Sequence, residues 1–393
     1  MSNHKLLILP EIEADVKLRQ QRLTAMMASK GIDALLISDN ANLIYLCGRV
    51  FSGYILLQTA GETLYFVKRP IDLQYDNLHF IKKPENIAEI LPQLPATVAF
   101  ELDSLTYNEA TRLQSVFACS KIVNASPLLR QARAVKTPME IKALRESAAK
   151  HMLAYERIPG LYRNGMTDIE LQIEIEREIR LCGGLGQFRI AGQTMEIFMG
   201  NMLAGDNADT PSPYDFAMGG EGLNPSLPVG ANGSRIMPGT SIMVDMGGNF
   251  TGYTTDMTRT FSVGPLPKEA LEAHNLSIAI LHKMVEVARP GMEAKELYNI
   301  AQEMVNATEF APYFMGHNQK AGFIGHGVGI EINEAPVLAP RTRDILEVGN
   351  VIAIEPKFVI PGVGAVGLEN TYLLTDSGLE LLTPAPEEIK DIS

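Results

Sequence analysis

The chain has little cysteine, no excess of positive charge and no long apolar run. Its three cysteines, Cys47, Cys119 and Cys182, are scattered and form no CxxC pair. That argues against a disulfide framework or a thiolate metal site and fits a reducing compartment. Acidic residues outnumber basic ones, 46 to 34, for a net charge of −12. Such a surface disfavours nucleic acid or an anionic membrane as partner. No segment approaches the ~20 apolar residues that span a bilayer. Near the N-terminus the apolar run covers only Leu6 to Leu9, too short for a signal-peptide core. The cytoplasm is the expected location. With 46% apolar and 20% charged residues, the composition is that of a globular protein. At 393 residues it exceeds one ordinary core, so two domains are expected.

The stretch with most chemistry runs from Met243 to Phe261, MVDMGGNFTGYTTDMTRTF. Asp245 closes an apolar run. Gly247, Gly248 and Gly252 then allow a turn, and Tyr253 to Phe261 alternate as a strand. A hairpin of this length brings Asp245 and Asp256 side by side. Adjacent carboxylates repel, so one binds a proton unless a cation compensates. A solvated hairpin with two surface aspartates is the bland alternative. Further on, GHGVGIEINEAP, IEPKF and VGLEN set His326, Glu355 and Glu369 among glycines and apolar residues. Two Asp, one His and two Glu form a hard donor set, suited to Mn²⁺, Co²⁺, Fe²⁺ or Zn²⁺. Four carboxylates neutralise two divalent ions.

In the order D…D…H…E…E, and in the phrases DMGGNFTGYTTDMTRTF, GHGVGIE, IEP and LEN, the chain resembles the pita-bread metallopeptidases. These are methionine aminopeptidase, aminopeptidase P and prolidase, with the non-peptidase creatinase. The resemblance implies an α/β (α+β) protein in two parts. Residues 12–134 would form a creatinase-type N-terminal domain, opened by RLTAMMASKGIDALLISDNANLIYLCG. Residues 137–393 would form a pita-bread domain with a curved antiparallel sheet and pseudo-twofold symmetry. It further implies a dinuclear centre of Asp245, Asp256, His326, Glu355 and Glu369, with Asp256 and Glu369 bridging both ions, Mn or Co first and Zn or Fe next. The implied activity is that of an Xaa-Pro dipeptidase or aminopeptidase. A metal-bridged hydroxide would attack an amide, with Glu355 relaying the proton. The implied assembly is a homodimer acting on a small peptide or amide.

Local patterns place the rest. Helices are expected over 15–30, 87–94, 139–155 and 167–182, with Thr137 and Thr167 as caps and Pro138 opening its helix. Strands are expected over 32–38, 54–58, 63–67 and 97–102, and a turn at Asp39-Asn40. NGMTDIEL (164–171) is echoed by PGMEAKEL (290–297), each between two helices, which suggests two similar halves. Residues 199–240 are rich in Gly, Pro, Asn and Asp and read as loop and short strand. A long ordered loop beside the hairpin is expected to shape the site.

The substrate side departs from the family pattern. Where prolidases carry histidines, the chain has Val229 and Asn333. Their arginine is Gly367, and the usual EPG is Glu355-Pro356-Lys357. Valine cannot move a proton or bond an oxyanion. Of seven histidines, His4, His79, His151, His274 and His282 fall on other segments. That leaves His317 as the best replacement catalytic group. Tyr214, Asp215 and Arg235 are further substrate-side candidates. Lys357 reads either as a carboxylate-binding group or as half of an ion pair. Two alternatives follow from these losses: a member hydrolysing a small non-peptide amide or amidine, or a metal-bound homologue without turnover.

Overall fold

Pro10 opens the first helix, α1 (Pro10–Ser29), five residues before the apolar spacing becomes visible, because a proline is well tolerated where no intrahelical N–H is needed. The structure is a computed structural model and describes residues 5–192 and 197–393, so His4 lies outside the described residues. The chain divides into two compact units, Met1–Arg133 and Ala134–Ser393.

The first unit is built on a six-stranded sheet. Its strands are β1 (Ala34–Ile37), β2 (Ser52–Gln58), β3 (Leu64–Arg69), β4 (Leu78–Phe80), β5 (Thr97–Phe100) and β6 (Lys121–Asn124), in the order β4-β3-β2-β1-β5-β6. All four residues of central β1 are buried, which explains its unbroken apolar run. Leu36, Leu56, Phe66, Val98 and Phe100 pack with Phe117 on one core. Two expectations need correction. Asp39-Asn40 does not turn the chain but starts a helix, α2 (Asn40–Cys47), with the Asp39 carboxylate accepting from the Ala41 N–H at 2.9 Å. Cap and turn use the same side-chain chemistry. The helix expected over 87–94 is only α3 (Asn86–Ile90), because Pro92 forces Leu91 into an extended conformation. Helices α4 (Tyr107–Val116) and α5 (Ser126–Ala134) follow.

The second unit opens with α6 (Pro138–Arg157) and α7 (Asp168–Leu181). Thr137 and Thr167 cap them, each in a reciprocal capping box with the Glu three residues on. The later pair is α8 (Lys268–Val287) and α9 (Ala294–Asn306). The echo in sequence is an echo in structure. The Thr167 N–H donates to Glu170 at 2.8 Å and the Glu293 N–H to Glu296 at 3.1 Å. Thr167 and Glu293 also each form an isolated antiparallel bridge, to Arg235 and Ile345.

Strands β7 (Gly200–Ala204), β8 (Ser241–Met246), β9 (Gly248–Asn249), β10 (Thr254–Thr255) and β11 (Thr258–Ser262) belong to the first half. Then come β12 (Gly325–Gly327), β13 (Glu334–Val337), β14 (Val351–Ile354), β15 (Lys357–Ile360), β16 (Gly364–Gly367), β17 (Asn370–Thr375), β18 (Gly378–Leu381) and β19 (Lys390–Asp391). The two larger sheets run β19-β11-β8-β7 and β13-β12-β14-β17-β18, and β9–β10 and β15–β16 form separate pairs. On α7, Leu171, Ile175 and Ile179 cover Met202, Ile242 and Val244 of the first half. On α8, Ala270, Ala273, Ile280, Leu281 and Met284 cover Ile352, Ile354 and Phe358 of the second. Among the described residues no helix is long and apolar enough to cross a membrane.

The strand expected over 253–261 is interrupted. Asp245 pairs with Thr258 and Gly248 with Thr255, so the register continues, but no ladder bonds join the residues between. The Tyr155 hydroxyl explains the gap. It accepts from the Met246 N–H at 3.0 Å and donates to the Met257 carbonyl at 2.7 Å, replacing a bond of the ladder. Ser147 and His151, two turns and one turn earlier on α6, meet the same hairpin. Ser147 donates to the Tyr253 carbonyl at 2.8 Å, and His151 Nδ1 lies 3.0 Å from Thr255 Oγ1. Gly248 is therefore required by approach rather than by the turn: a Cβ there would lie 2.3 Å from His151 Nδ1. Gly252, with φ of +92°, is the glycine of the hairpin that needs its freedom for the turn.

Candidate metal centre

Each of the five acid or imidazole candidates stands at a strand end or a break in a ladder. Asp245 is near the end of β8, and Asp256 sits in the gap opened by Tyr155. His326 is the middle residue of β12, at the point where the register against β13 slips. Glu355 lies between β14 and β15, and Glu369 between β16 and β17. Such positions free a side chain from the pleat while the flanking strands hold its backbone. The Asp256 N–H donates to Thr371 Oγ1 at 2.9 Å, and the Thr371 hydroxyl donates back to the Asp256 carbonyl at 2.7 Å. Arg259 holds Glu369 in place: its Nη1 donates to the Glu369 carbonyl at 2.8 Å and its Nη2 to Asn370 Oδ1 at 2.7 Å.

The five side chains converge. Asp256, His326 and Glu369 present ligand atoms within 4.8 Å of one another, and so do Asp245, Glu355 and Glu369. His326 Nε2 lies 3.8 Å from Asp256 Oδ2 and 3.6 Å from Glu355 Oε1. Its Nδ1 is 3.1 Å from the Gly327 carbonyl. With Nδ1–H donating there, Nε2 keeps a lone pair toward the carboxylates, as a metal-ligating imidazole does. Glu369 Oε2 accepts from the Thr258 hydroxyl at 2.8 Å, while its Oε1 is buried with no hydrogen-bond partner. A carboxylate with an orphaned oxygen, grouped with an aspartate and an imidazole, fits a divalent cation.

A sixth side chain lies inside the cluster. Lys357, fully buried, points its Nζ to within 2.9 Å of Asp245 Oδ2, 2.6 Å of Glu355 Oε2 and 3.4 Å of Glu369 Oε2. Burial disfavours its charge, but the carboxylates of Asp245, Glu355 and Glu369 outweigh that and hold the ammonium's pKa well above the usual range. Burial, together with the mutual repulsion of the acids, drives Asp256 and Glu369 well above the usual carboxylate range. His151, behind the hairpin, is pushed down to about 3 by burial and is a neutral packing residue.

All five candidates line one cleft of about 610 Å³, counting its open mouth. Phe188, Ile190, Phe216, Phe323 and Ile332 supply apolar walls, and Asn201, Asp215 and Asn333 supply polar ones. Asn333 lines the cleft, but its amide is engaged. Its Oδ1 accepts from the Ala191 N–H at 2.7 Å and its Nδ2 donates to the Ala191 carbonyl at 3.0 Å, so it ties two cleft segments together.

Other expected substrate residues are not brought to the cleft. His317 lies on an exposed segment, its Nδ1 2.8 Å from Asp209 Oδ2, and is not part of the lining. Val229 is half-buried in a loop, its N–H donating to the Leu227 carbonyl at 3.0 Å. Tyr214 borders a neighbouring depression beside Gln319 and Lys320. Arg235 donates to the Gly165 carbonyl at 3.2 Å and is likewise outside the lining. His317 and Arg235 are held by partners far away in sequence, Asp209 and Gly165, which spacing along the chain does not reveal. Sequence reasoning missed Phe188, Asn201, Phe216 and Phe323 as lining, and the placing of Lys357 within the acid cluster. The break in the EPG pattern was the signal for Lys357.

Comparison with known proteins agrees with this architecture. Residues 142–376 match the metallopeptidase family M24, and residues 19–135 the creatinase/prolidase N-terminal domain. The chain is 28% identical over 378 residues to an Xaa-Pro dipeptidase of Pyrococcus horikoshii, covering 94% of this chain and 97% of that one. Among solved structures, an Xaa-Pro dipeptidase from Bacillus anthracis superposes with a TM-score of 0.78 at 24% identity, over 95% of this chain and 99% of that one. An X-Pro aminopeptidase from Thermotoga maritima gives 0.76 at 22% identity, over 94% and 99%.

Proposed function

The chain belongs to metallopeptidase family M24, and on that premise we propose that it is a metal-dependent hydrolase of peptide bonds preceding proline. The observation that carries this reading is the convergence of Asp245, Asp256, His326, Glu355 and Glu369 in one cleft with apolar walls. A divalent ion, Mn²⁺ or Co²⁺ by the hardness of the donors, supplies there a Lewis acid for the peptide carbonyl and lowers the pKa of water. Asp256, His326 and Glu369 would hold that ion. Glu355, with Oε1 toward His326 and Oε2 tied to Lys357, takes the proton of the attacking water and delivers it to the leaving nitrogen. Phe188, Ile190, Phe216, Phe323 and Ile332 exclude water and accept the pyrrolidine ring.

The charge of the cleft refines the substrate. Among the described residues that line it, none is Lys or Arg, while Asp215 is an acid outside the ligand set. A substrate's amino terminus meets a carboxylate there, and the free carboxylate of a dipeptide meets no lysine or arginine of the lining. Peptides that begin Xaa-Pro and continue are therefore better substrates than Xaa-Pro dipeptides.

The test is hydrolysis of matched Xaa-Pro dipeptides and longer Xaa-Pro peptides by Mn²⁺- or Co²⁺-loaded protein, with Asp256→Asn as control. Metal-dependent cleavage, lost more than roughly 100-fold in the variant, is expected, since even changing a ligand's supporting partner costs 10–100-fold. Cleavage that survives in Asp256→Asn, or no cleavage of either substrate set, overturns the reading.

A further inference from the structure

The ligand cluster has two corners that differ in what fills them. One is bounded by Asp256, His326 and Glu369, the other by Asp245, Glu355 and Glu369. In the second corner Lys357 Nζ stands 2.9, 2.6 and 3.4 Å from one oxygen each of Asp245, Glu355 and Glu369. These are the three residues that bound the corner. A lysine ammonium has three N–H donors and no acceptor, so three carboxylates saturate it. A divalent ion would sit roughly 2.0–2.6 Å from carboxylate oxygens. Nζ already engages one oxygen of each of the three carboxylates, and a divalent ion drawn into the same corner would meet the ammonium there.

The lysine has no easy way out. Its side chain is 0% exposed. Its backbone, on β15, pairs with Gly367 of β16. A Cβ at Gly367 would lie 2.6 Å from the Pro356 carbonyl oxygen and 2.8 Å from Lys357 Cα, so the strands meet there without a side chain between them. Lysine at 357 and glycine at 367 are both departures from the family pattern, and they face each other across one pair of strands.

The first corner is different. Glu369, which also bounds it, has a buried Oε1 with no hydrogen-bond partner, and the imidazole Nε2 lies 3.8 Å from Asp256 Oδ2. Lys357 Nζ reaches this corner only at its shared Glu369, and among the described residues no lysine or arginine hydrogen-bonds Asp256 or His326.

We infer that the Lys357 ammonium replaces one of the two divalent ions implied by the ligand order, leaving a single-metal centre held by Asp256, His326 and Glu369. The inference rests on the reading of the cluster as a metal centre. A covalently fixed cation cannot be lost to a chelator. It keeps Asp245 and Glu355 in place whether or not the metal corner is loaded. It also removes any need for Asp245 as a metal ligand, so that residue serves to hold the ammonium.

Full-length protein is saturated with Mn²⁺, freed of excess by gel filtration, and assayed for manganese per chain and by electron paramagnetic resonance. One ion per chain and the six-line spectrum of an isolated Mn²⁺ are expected. Lys357→Gly is expected to bind two ions and to show the spectrum of a spin-coupled pair. His326→Ala is expected to bind none. Two coupled ions in the wild type overturn the inference, and so does one ion in Lys357→Gly or a bound ion in His326→Ala. If Lys357→Gly does not fold, the wild-type count and spectrum decide alone. None of these measurements reads turnover. An inactive protein with one isolated Mn²⁺ supports the inference while overturning the peptidase reading, and a protein that binds no Mn²⁺ overturns both.

Discussion

Each unit of the protein buries acid, and the two solve the problem differently. In the first unit Glu101 is 1% exposed. It accepts from the Ser38 and Asp39 N–H groups at 2.7 and 3.0 Å and from Asn42 Nδ2 at 2.8 Å, so it closes the start of α2 with neutral donors. In the second unit Asp245, Asp256, Glu355 and Glu369 are gathered together, and neutral donors are too few. One corner takes a lysine, and Glu369, common to both corners, keeps an oxygen with no hydrogen-bond partner. A buried carboxylate satisfied by amides builds structure. A group of carboxylates that demands positive charge builds a site.

The widest difference is expected on removing the lysine. Lys357→Met keeps the stem and deletes the charge, leaving three buried carboxylates uncompensated. Breaking a buried pair by removing one partner typically costs about 3–5 kcal/mol. Chemical denaturation of the metal-free variant is expected to show a loss of that size, and Mn²⁺ is expected to restore much of it by entering the vacated corner. A loss below about 1 kcal/mol would place the lysine outside the charge balance of the cluster.

Glu101 predicts a smaller effect of the opposite kind. Burial lifts its carboxyl from the usual 4.5 to about 7. A raised acid pKa means the folded state holds the proton more tightly. Its contribution is therefore fully present below pH 4.5 and falls as pH rises to about 7. At about 1.36 kcal/mol per pKa unit the fall is roughly 3 kcal/mol. Glu101→Gln is expected to flatten the stability profile between pH 5 and 7 by about that amount. An unchanged slope would contradict the assignment.

The Tyr155 hydroxyl, which splits the hairpin ladder, is worth less. Tyr155→Phe leaves the Met246 N–H and the Met257 carbonyl without their shared partner, at a cost of about 1–3 kcal/mol. Because Asp256 sits in that gap, Mn²⁺ affinity is expected to fall as well; a stability loss with unaltered Mn²⁺ affinity would show that the gap does not position Asp256. The smallest effect belongs to His317. His317→Ala, outside the cleft, is expected to change kcat/KM less than about twofold and stability by under about 0.5 kcal/mol. A tenfold loss of kcat/KM would return His317 to the site.

Much of the fold could be read from local signals. Thr137 with Pro138, and Thr167 with Glu170, announce their helices, and β1 is an apolar run because both its faces are covered. The α2 helix was not legible, because an Asp-Asn pair serves turn and cap alike. Nor was the gap at Asp256, since the tyrosine that makes it comes from a helix about a hundred residues earlier. The five converging residues stand out because each is set among glycines or at the end of an apolar run. The walls of the cleft do not, because Phe188 and Phe216 have no pattern that separates lining from core. Lys357 shows the limit most clearly: the sequence marks it as a departure, but only the packing of β15 against β16 sends its ammonium among three carboxylates.

The most direct measurement is an anomalous difference map at the manganese edge, from crystals of the wild-type protein grown with Mn²⁺. One peak between Asp256, His326 and Glu369, with the Lys357 side chain still reaching Asp245 and Glu355, is the predicted result. Two peaks, or a single peak in the Asp245–Glu355 corner with the lysine displaced, would contradict it.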